Sequence, residues 1–281
     1  GIGAALGREL ARRGARVVLA DRQLEVASEV ARSIIDTGGK AEAVELDVRD
    51  AIAFDAIVAL TIERYGRIDY LFNNAGIVVG GEIREYRLDD WRDVVDVNLM
   101  GVVHGVQASY GRMIAQGFGH IVNTASVAGL LPAPFMGSYT TTKHAVVGLS
   151  RALRAEGARY GVRASALCPG VIRTPILTGG RFGRMGQQMD PGRALKMWEG
   201  MRPIDADEFA RRALNLVAEN RGTIIVPAWW RLICWLNGAS PRLFEHSVAL
   251  ALKRILEQMV NAGPTPSRRS ASEPRHARAG S

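Results

Sequence analysis

Residues 1–21, GIGAALGRELARRGARVVLAD, decide how the rest of the chain is read. After Gly1-Ile2-Gly3, the apolar Leu6 and Leu10 with small residues between them give an amphipathic helix that ends at Gly14, where a left-handed terminal residue is tolerated. Arg16 to Ala20 is then a short apolar run bounded by Gly14 and Asp21, the pattern of a strand covered on both faces. A Gly-x-Gly at a helix start lets backbone approach a phosphate closely, and the free N–H groups of the first turn offer it partial positive charge. Asp21 closes the next strand, about twenty residues on, where a carboxylate can accept hydrogen bonds from an adenosine ribose.

The same alternation continues outward. Helical segments are expected at 23–37, 51–65, 89–116, 137–160 and 205–219, and strands at 41–46, 68–72, 120–123, 162–167 and 223–226. Strands separated by helix-length segments imply parallel βαβ units, hence a doubly wound α/β sheet with helices on both faces. Residues 1–227 form one domain on this reading. Within it, glycines and prolines break up 174–203, a stretch carrying Met185, Met189, Met197 and Met201, as expected of a substrate lid; the alternative is methionine as core filler. Residues 228–260 form an apolar, Trp-rich and then amphipathic extension, with Phe244, Val248, Leu252, Ile255 and Met259 at helical spacing. Such an extension packs on the core or on a second subunit, folds over the substrate site, or lies on a membrane surface. Residues 261–281 are expected to be a disordered basic tail.

Composition narrows the function classes. At 281 residues one large domain suffices, and 47% apolar residues argue for a globular fold. The net charge of +8 comes from arginine, part of it in the tail, and no basic stripe interleaved with aromatics accompanies it, so nucleic acid is not the expected partner. Cys168 and Cys234 lie far apart without metal-ligand spacing, so a reduced cytoplasmic compartment and no metal site are expected.

Tyr139-Thr140-Thr141-Thr142-Lys143 places a phenol and an ammonium one helical turn apart. A free phenol titrates near ~10, and a neighbouring cation favours the phenolate, so Lys143 is expected to make Tyr139 more acidic. This pair occurs with Leu71-Phe72-Asn73-Asn74-Ala75-Gly76, Val97-Asn98, Thr124-Ala125-Ser126 and Cys168-Pro169-Gly170, at strand ends or on the intervening helices. Together these segments closely resemble the short-chain dehydrogenase/reductase family, over nearly the whole stretch from Gly1 to about Val226.

The resemblance implies a Rossmann-like fold and a catalytic tetrad of Asn98, Ser126, Tyr139 and Lys143. Ser126 would position the substrate oxygen, Tyr139 would exchange its proton, Lys143 would reach the nicotinamide ribose, and Asn98 would hold a water linking Lys143 to solvent. The implied cofactor contacts are Gly1, Ile2, Gly3, Asp21, Arg22, Asp47, Val48, Asn74, Ala75, Gly76, Tyr139, Lys143, Pro169, Gly170, Val171, Ile172 and Thr174. The negative charge of Asp21 favours NAD over NADP, although Arg22 beside it could receive a 2′-phosphate. Asn73, Gly80 and Gly81 are read as packing residues, and His104 and His144 as structural histidines in apolar helical settings. A homodimer or homotetramer built partly from the helices at 89–116 and 137–160 is also implied.

The chain departs from the family at its start. The family's glycine motif begins earlier, after a first strand that is central in its sheet, and both that strand and its Thr-Gly pair are absent here. The strands at 16–20 and 68–72 are therefore expected to face each other across a one-strand gap, with unpaired edges that leave the chain poorly stable and weak in dinucleotide binding. The leading expectation is an oxidoreductase transferring hydride between a nicotinamide cofactor and a small apolar alcohol or its ketone or aldehyde. The alternative is a dinucleotide-sensing protein of the same fold without turnover, in contact with membrane through 228–260.

Overall fold

The computed structural model describes residues 1–178, 183–185 and 198–261, with 178, 183, 185 and 254–261 as backbone path only. It opens with α1 (Ile2–Arg12), β1 (Arg16–Asp21), α2 (Leu24–Asp36), β2 (Lys40–Glu45), α3 (Ala51–Tyr65) and β3 (Tyr70–Asn73). A short β4 (Val78–Gly80) leads to α4 (Leu88–Val95), α5 (Gly101–Gln116), β5 (Gly119–Thr124), α6 (Gly137–Gly157) and β6 (Val162–Pro169). Then follow β7 (Gly183–Met185), α7 (Ala206–Ala218), β8 (Thr223–Val226), α8 (Trp230–Ala239) and α9 (Pro241–Asn261).

The parallel strands fall into two groups. β3, β5, β6 and β8 form one sheet in that order, and β1 pairs with β2 separately, Arg16 opposite Lys40 through Asp21 opposite Glu45. No ladder joins β1 to β3 among the described residues, and residues of both strands line a single cavity. The small β4–β7 pair is parallel as well.

The two-residue period of the strands explains why the sheet is covered on both faces. Val122 and Leu167 point into a cluster with Ala5 and Leu6 of α1 and Phe209, Ala213 and Leu214 of α7. Their chain neighbours Ile121, Ala166 and Cys168 point the other way, against Val106 and Met113 of α5 and Val146 and Leu153 of α6. Phe54 and Val58 of α3 pack with Ala108 in a third cluster. Helix boundaries follow local chemistry: the Asp50 carboxylate caps α3 by accepting from Ile52 and Ala53, and Asp205 caps α7 through Asp207 and Glu208.

Several expectations are refined. The helix expected at 89–116 is interrupted by a π turn at Asp96–Met100, which carries Asn98. The Trp-rich run folds as α8, and α9 follows it closely in the place expected. Of the proposed lid, a 3₁₀ turn at Pro175–Thr178, β7 and the segment from Trp198 are described; Met189, Met197 and the rest lie outside the described residues, as does the tail from 262 onward. His144 is exposed on α6 rather than in an apolar setting, its Nδ1 2.9 Å from the Thr140 carbonyl; facing outward from the helix, it has no core to pack in.

Candidate active site

The carboxyl ends of β1, β3, β5 and β6 open into one cavity of about 1580 Å³, where ligands bind in open α/β sheets. At one end stands the N-terminus of α1. No side chain caps it, and Gly1, Ile2 and Gly3 line the cavity. Gly3 is pressed against the neighbouring strand end: a Cβ there would come within 2.8 Å of Asn74 Nδ2. The backbone can approach an anionic group at this point because the side chain is hydrogen.

Asp21 ends β1 exposed, its Oδ1 accepting from the Gln23 N–H at 2.9 Å, with Arg22 adjacent. Asp47 is held by Arg49, Nη2 to Oδ2 at 2.5 Å, and the hydrogen bond to Arg49 keeps its carboxyl below the ordinary range. His104 fixes the neighbouring residue, Nδ1 lying 2.9 Å from the Val48 carbonyl. Each residue expected at the cofactor lines the cavity, from Gly1 to Thr174.

The chemical groups converge below this rim. Ser126 follows β5 and accepts from the Ala128 N–H at 3.1 Å. Tyr139 and Lys143 lie on α6, whose register turns both toward β5. Lys143 is buried, and its Nζ donates to the Thr124 carbonyl at 2.8 Å and stands 5.4 Å from the Tyr139 ring centroid. Burial lowers the ammonium to about 8. The phenol differs from expectation. Burial raises Tyr139 above its ordinary value, opposed by a hydrogen bond from Ser126, because removing a phenolate from water is the largest effect on it.

Asn98 alone of the tetrad does not line the cavity. It is fully buried, its Oδ1 accepting from the Ile77 N–H at 2.8 Å and its Nδ2 donating to the Ile77 carbonyl at 2.9 Å and to Thr142 Oγ1 at 3.3 Å. Those bonds hold the strand-end segment after Gly76, and a Cβ on Gly76 would sit 3.4 Å from Asn98 Oδ1 and 3.5 Å from Lys143 Nζ. Asn73 reaches away into a buried chain, Nδ2 to Asn123 Oδ1 at 2.8 Å and Asn123 Nδ2 to Ser150 Oγ at 3.0 Å. Gly81 donates to the Phe135 carbonyl at 2.8 Å.

Sequence reasoning singled out Met201 in the lid and Trp230, Val248 and Leu252 in the extension, with folding over the substrate site among its alternatives, but missed Leu131, Phe135 and Trp198. Leu131 and Phe135, the latter held at φ 64°, line the cavity with Trp198, Met201 and Trp230, and α9 adds Val248, Ala251 and Leu252. Trp230 is set by Gly170, where a Cβ would stand 2.2 Å from the indole Nε1. Only the glycine's close approach could have signalled this, and its partner is sixty residues away in sequence.

The fold and this constellation have known counterparts. Residues 1–181 match the family model described as short chain dehydrogenase. The chain belongs to the short-chain dehydrogenase family. Among its relatives, a cyclohexanol dehydrogenase from an Acinetobacter species is 37% identical over 180 residues, covering 63% of this chain and 71% of the relative. A short-chain dehydrogenase/reductase from Burkholderia phymatum, solved with NAD, superposes with a TM-score of 0.76 at 31% identity, covering 86% of this chain and 91% of that one. A gluconate 5-dehydrogenase from Burkholderia cenocepacia, solved with NADP and tartrate, gives a TM-score of 0.67 at 33% identity, covering 80% and 89%. This short-chain dehydrogenase is thus an oxidoreductase with a Rossmann-like fold.

Proposed function

We propose that this protein transfers hydride between a nicotinamide dinucleotide and an apolar alcohol or the corresponding ketone or aldehyde. One observation carries the reading: Ser126, Tyr139 and Lys143 line one cavity together with an uncapped glycine helix start and with Trp198, Met201, Trp230 and Leu252. The helix start fits a pyrophosphate, the apolar side chains an apolar substrate. The solved relatives bound to NAD and NADP support the cofactor class, and the relative named for cyclohexanol supports an apolar alcohol. The exposed Asp21 carboxylate favours NAD, since it would repel a 2′-phosphate.

The dinucleotide, when bound, accepts or returns the hydride. The chain's own residues handle the proton. Ser126 donates a hydrogen bond to the substrate oxygen and stabilises charge that gathers there. With its phenol held above the ordinary value, Tyr139 is protonated in neutral solution and suited to deliver a proton to a carbonyl oxygen; in oxidation its phenolate form takes the hydroxyl proton. Lys143, near the phenol ring, contributes positive charge beside the ribose end of the cavity. Asn98 acts as a positioning residue through Ile77 and Thr142.

Replacing Tyr139 by Phe removes the proton carrier and keeps the ring. Turnover of an apolar alcohol, followed by nicotinamide absorbance, is expected to fall by roughly 10²–10⁴ while dinucleotide affinity stays within about twofold. Full activity in the Tyr139→Phe protein would remove Tyr139 from the mechanism.

A further inference from the structure

The α8–α9 pair has two faces of different use. Its inner face, with Trp230, Val248 and Leu252, borders the cavity, and the Asn237 amide ties α8 to the Leu130 carbonyl at 3.2 Å. Its outer face is apolar and open: Leu232, Trp235 and Leu243 are 61%, 66% and 70% exposed, and Trp229, Leu236 and Leu250 are exposed beside them. Leu232, Trp235 and Leu236 recur at the three- and four-residue spacing that gathers side chains on one side of a helix. Soluble surfaces rarely gather so many large apolar groups without a partner.

Charge identifies the partner. Arg231, Arg242 and Lys253 stand exposed on the same two helices. Residues 228–281 hold eight basic and three acidic side chains, and so carry five of the chain's eight net positive charges. A second copy meeting this face symmetrically would bring like charges together, whereas an anionic surface neutralises them. Tryptophan suits the boundary between hydrocarbon and headgroups, and no helix among the described residues is long and apolar enough to cross a membrane.

We propose that the outer face of α8–α9 docks the protein flat on an anionic lipid bilayer, with Leu232, Trp235 and Leu243 entering the headgroup boundary and Arg231 and Arg242 on the lipid phosphates. The cavity behind these helices then faces the phase in which apolar substrates concentrate. The docking claim is independent of the chemistry at Tyr139.

Flotation of the full chain with vesicles tests it. Binding is expected to vesicles of three parts phosphatidylcholine to one part phosphatidylglycerol, with a blue shift in tryptophan fluorescence, and to weaken strongly on phosphatidylcholine alone or in high salt. Arg231→Gln with Arg242→Gln should reduce partitioning about 30-fold, and Leu232→Ser with Trp235→Ser should abolish it, both with unchanged circular dichroism melting. Absence of flotation with either lipid, or equal binding to both, overturns the proposal. So does a concentration-dependent dimer in sedimentation that Leu232→Ser with Trp235→Ser dissolves, which would assign the face to a second copy.

Discussion

In the β3-β5-β6-β8 sheet every residue of β5 and all but Arg163 of β6 are buried, whereas in the β1–β2 pair only Val17 is. The first region carries Ser126, Tyr139 and Lys143 on or beside deeply packed elements; the second carries Gly1, Gly3 and Asp21. The proton chemistry proposed above therefore rests on a four-stranded sheet, while the proposed dinucleotide end rests on a two-stranded pair and the packing of α1. α1 holds that end by burying Ala5 and Leu6 against α7 and by Arg13 donating to Asn215 Oδ1 at 2.8 Å. The two halves of one site are thus stabilised by different means, and they should respond differently to the same perturbation.

The largest contrast is expected in core truncation. Leu167→Ala should lower the unfolding free energy by about 2–5 kcal/mol in urea titration, because the site is sealed by α1, α7 and β8. Val17→Ala, beside the cavity between β1 and β3, should cost only about 1 kcal/mol. Equal losses would break the comparison. A second contrast lies in alkaline solution. Burial lowers the Lys143 ammonium to about 8, so turnover should fall roughly tenfold per pH unit well above that value, with a smaller loss of dinucleotide affinity as its charge leaves the ribose end. Parallel loss of both in a pH series would show that the halves titrate together.

The smallest effect belongs to α1. Glu9 is buried and bonded to Arg12 and Arg13 at 2.7 and 2.8 Å, and the Arg12 hydrogen bond leads in lowering it from 4.5 to about 2. Its folded value lies below its ordinary one, so its contribution is present in neutral solution and is lost as pH falls through about 2. Glu9→Gln should cost about 1 kcal/mol at pH 7 and only a small fraction of that near pH 2. Calorimetry at the two pH values measures it; a loss that persists at pH 2 would sharpen the picture toward packing rather than charge.

The doubly wound layout was legible because short strand-length runs alternate with helical segments whose apolar residues recur every three to four positions, as in α1 and α7, with glycine or aspartate at most junctions. The Tyr139–Lys143 pair was legible because residues four apart on a helix share a face, whereas Ser126 joined it only through the family resemblance. The π turn at 96–100 was not, since its extra residue leaves the apolar pattern of Leu99 and Val102 unbroken. The short β4–β7 pair joins residues a hundred apart and has too few positions to show alternation. The raised phenol of Tyr139 depends on how much water its neighbours exclude, which spacing alone does not reveal. His120 was passed over for the same reason; burial pulls it down to about 4, with Nε2 2.8 Å from Ser165 Oγ.

The contact between Gly170 and Trp230 makes a hydrogen atom at the end of one strand the gauge for a helix sixty residues later. Any larger residue at 170 must push the indole outward and tilt the segment behind it. A change of one methyl group would then be felt as a different chamber shape for substrate and a different presentation of the exterior tryptophan, so two properties that look separate share a single steric setting.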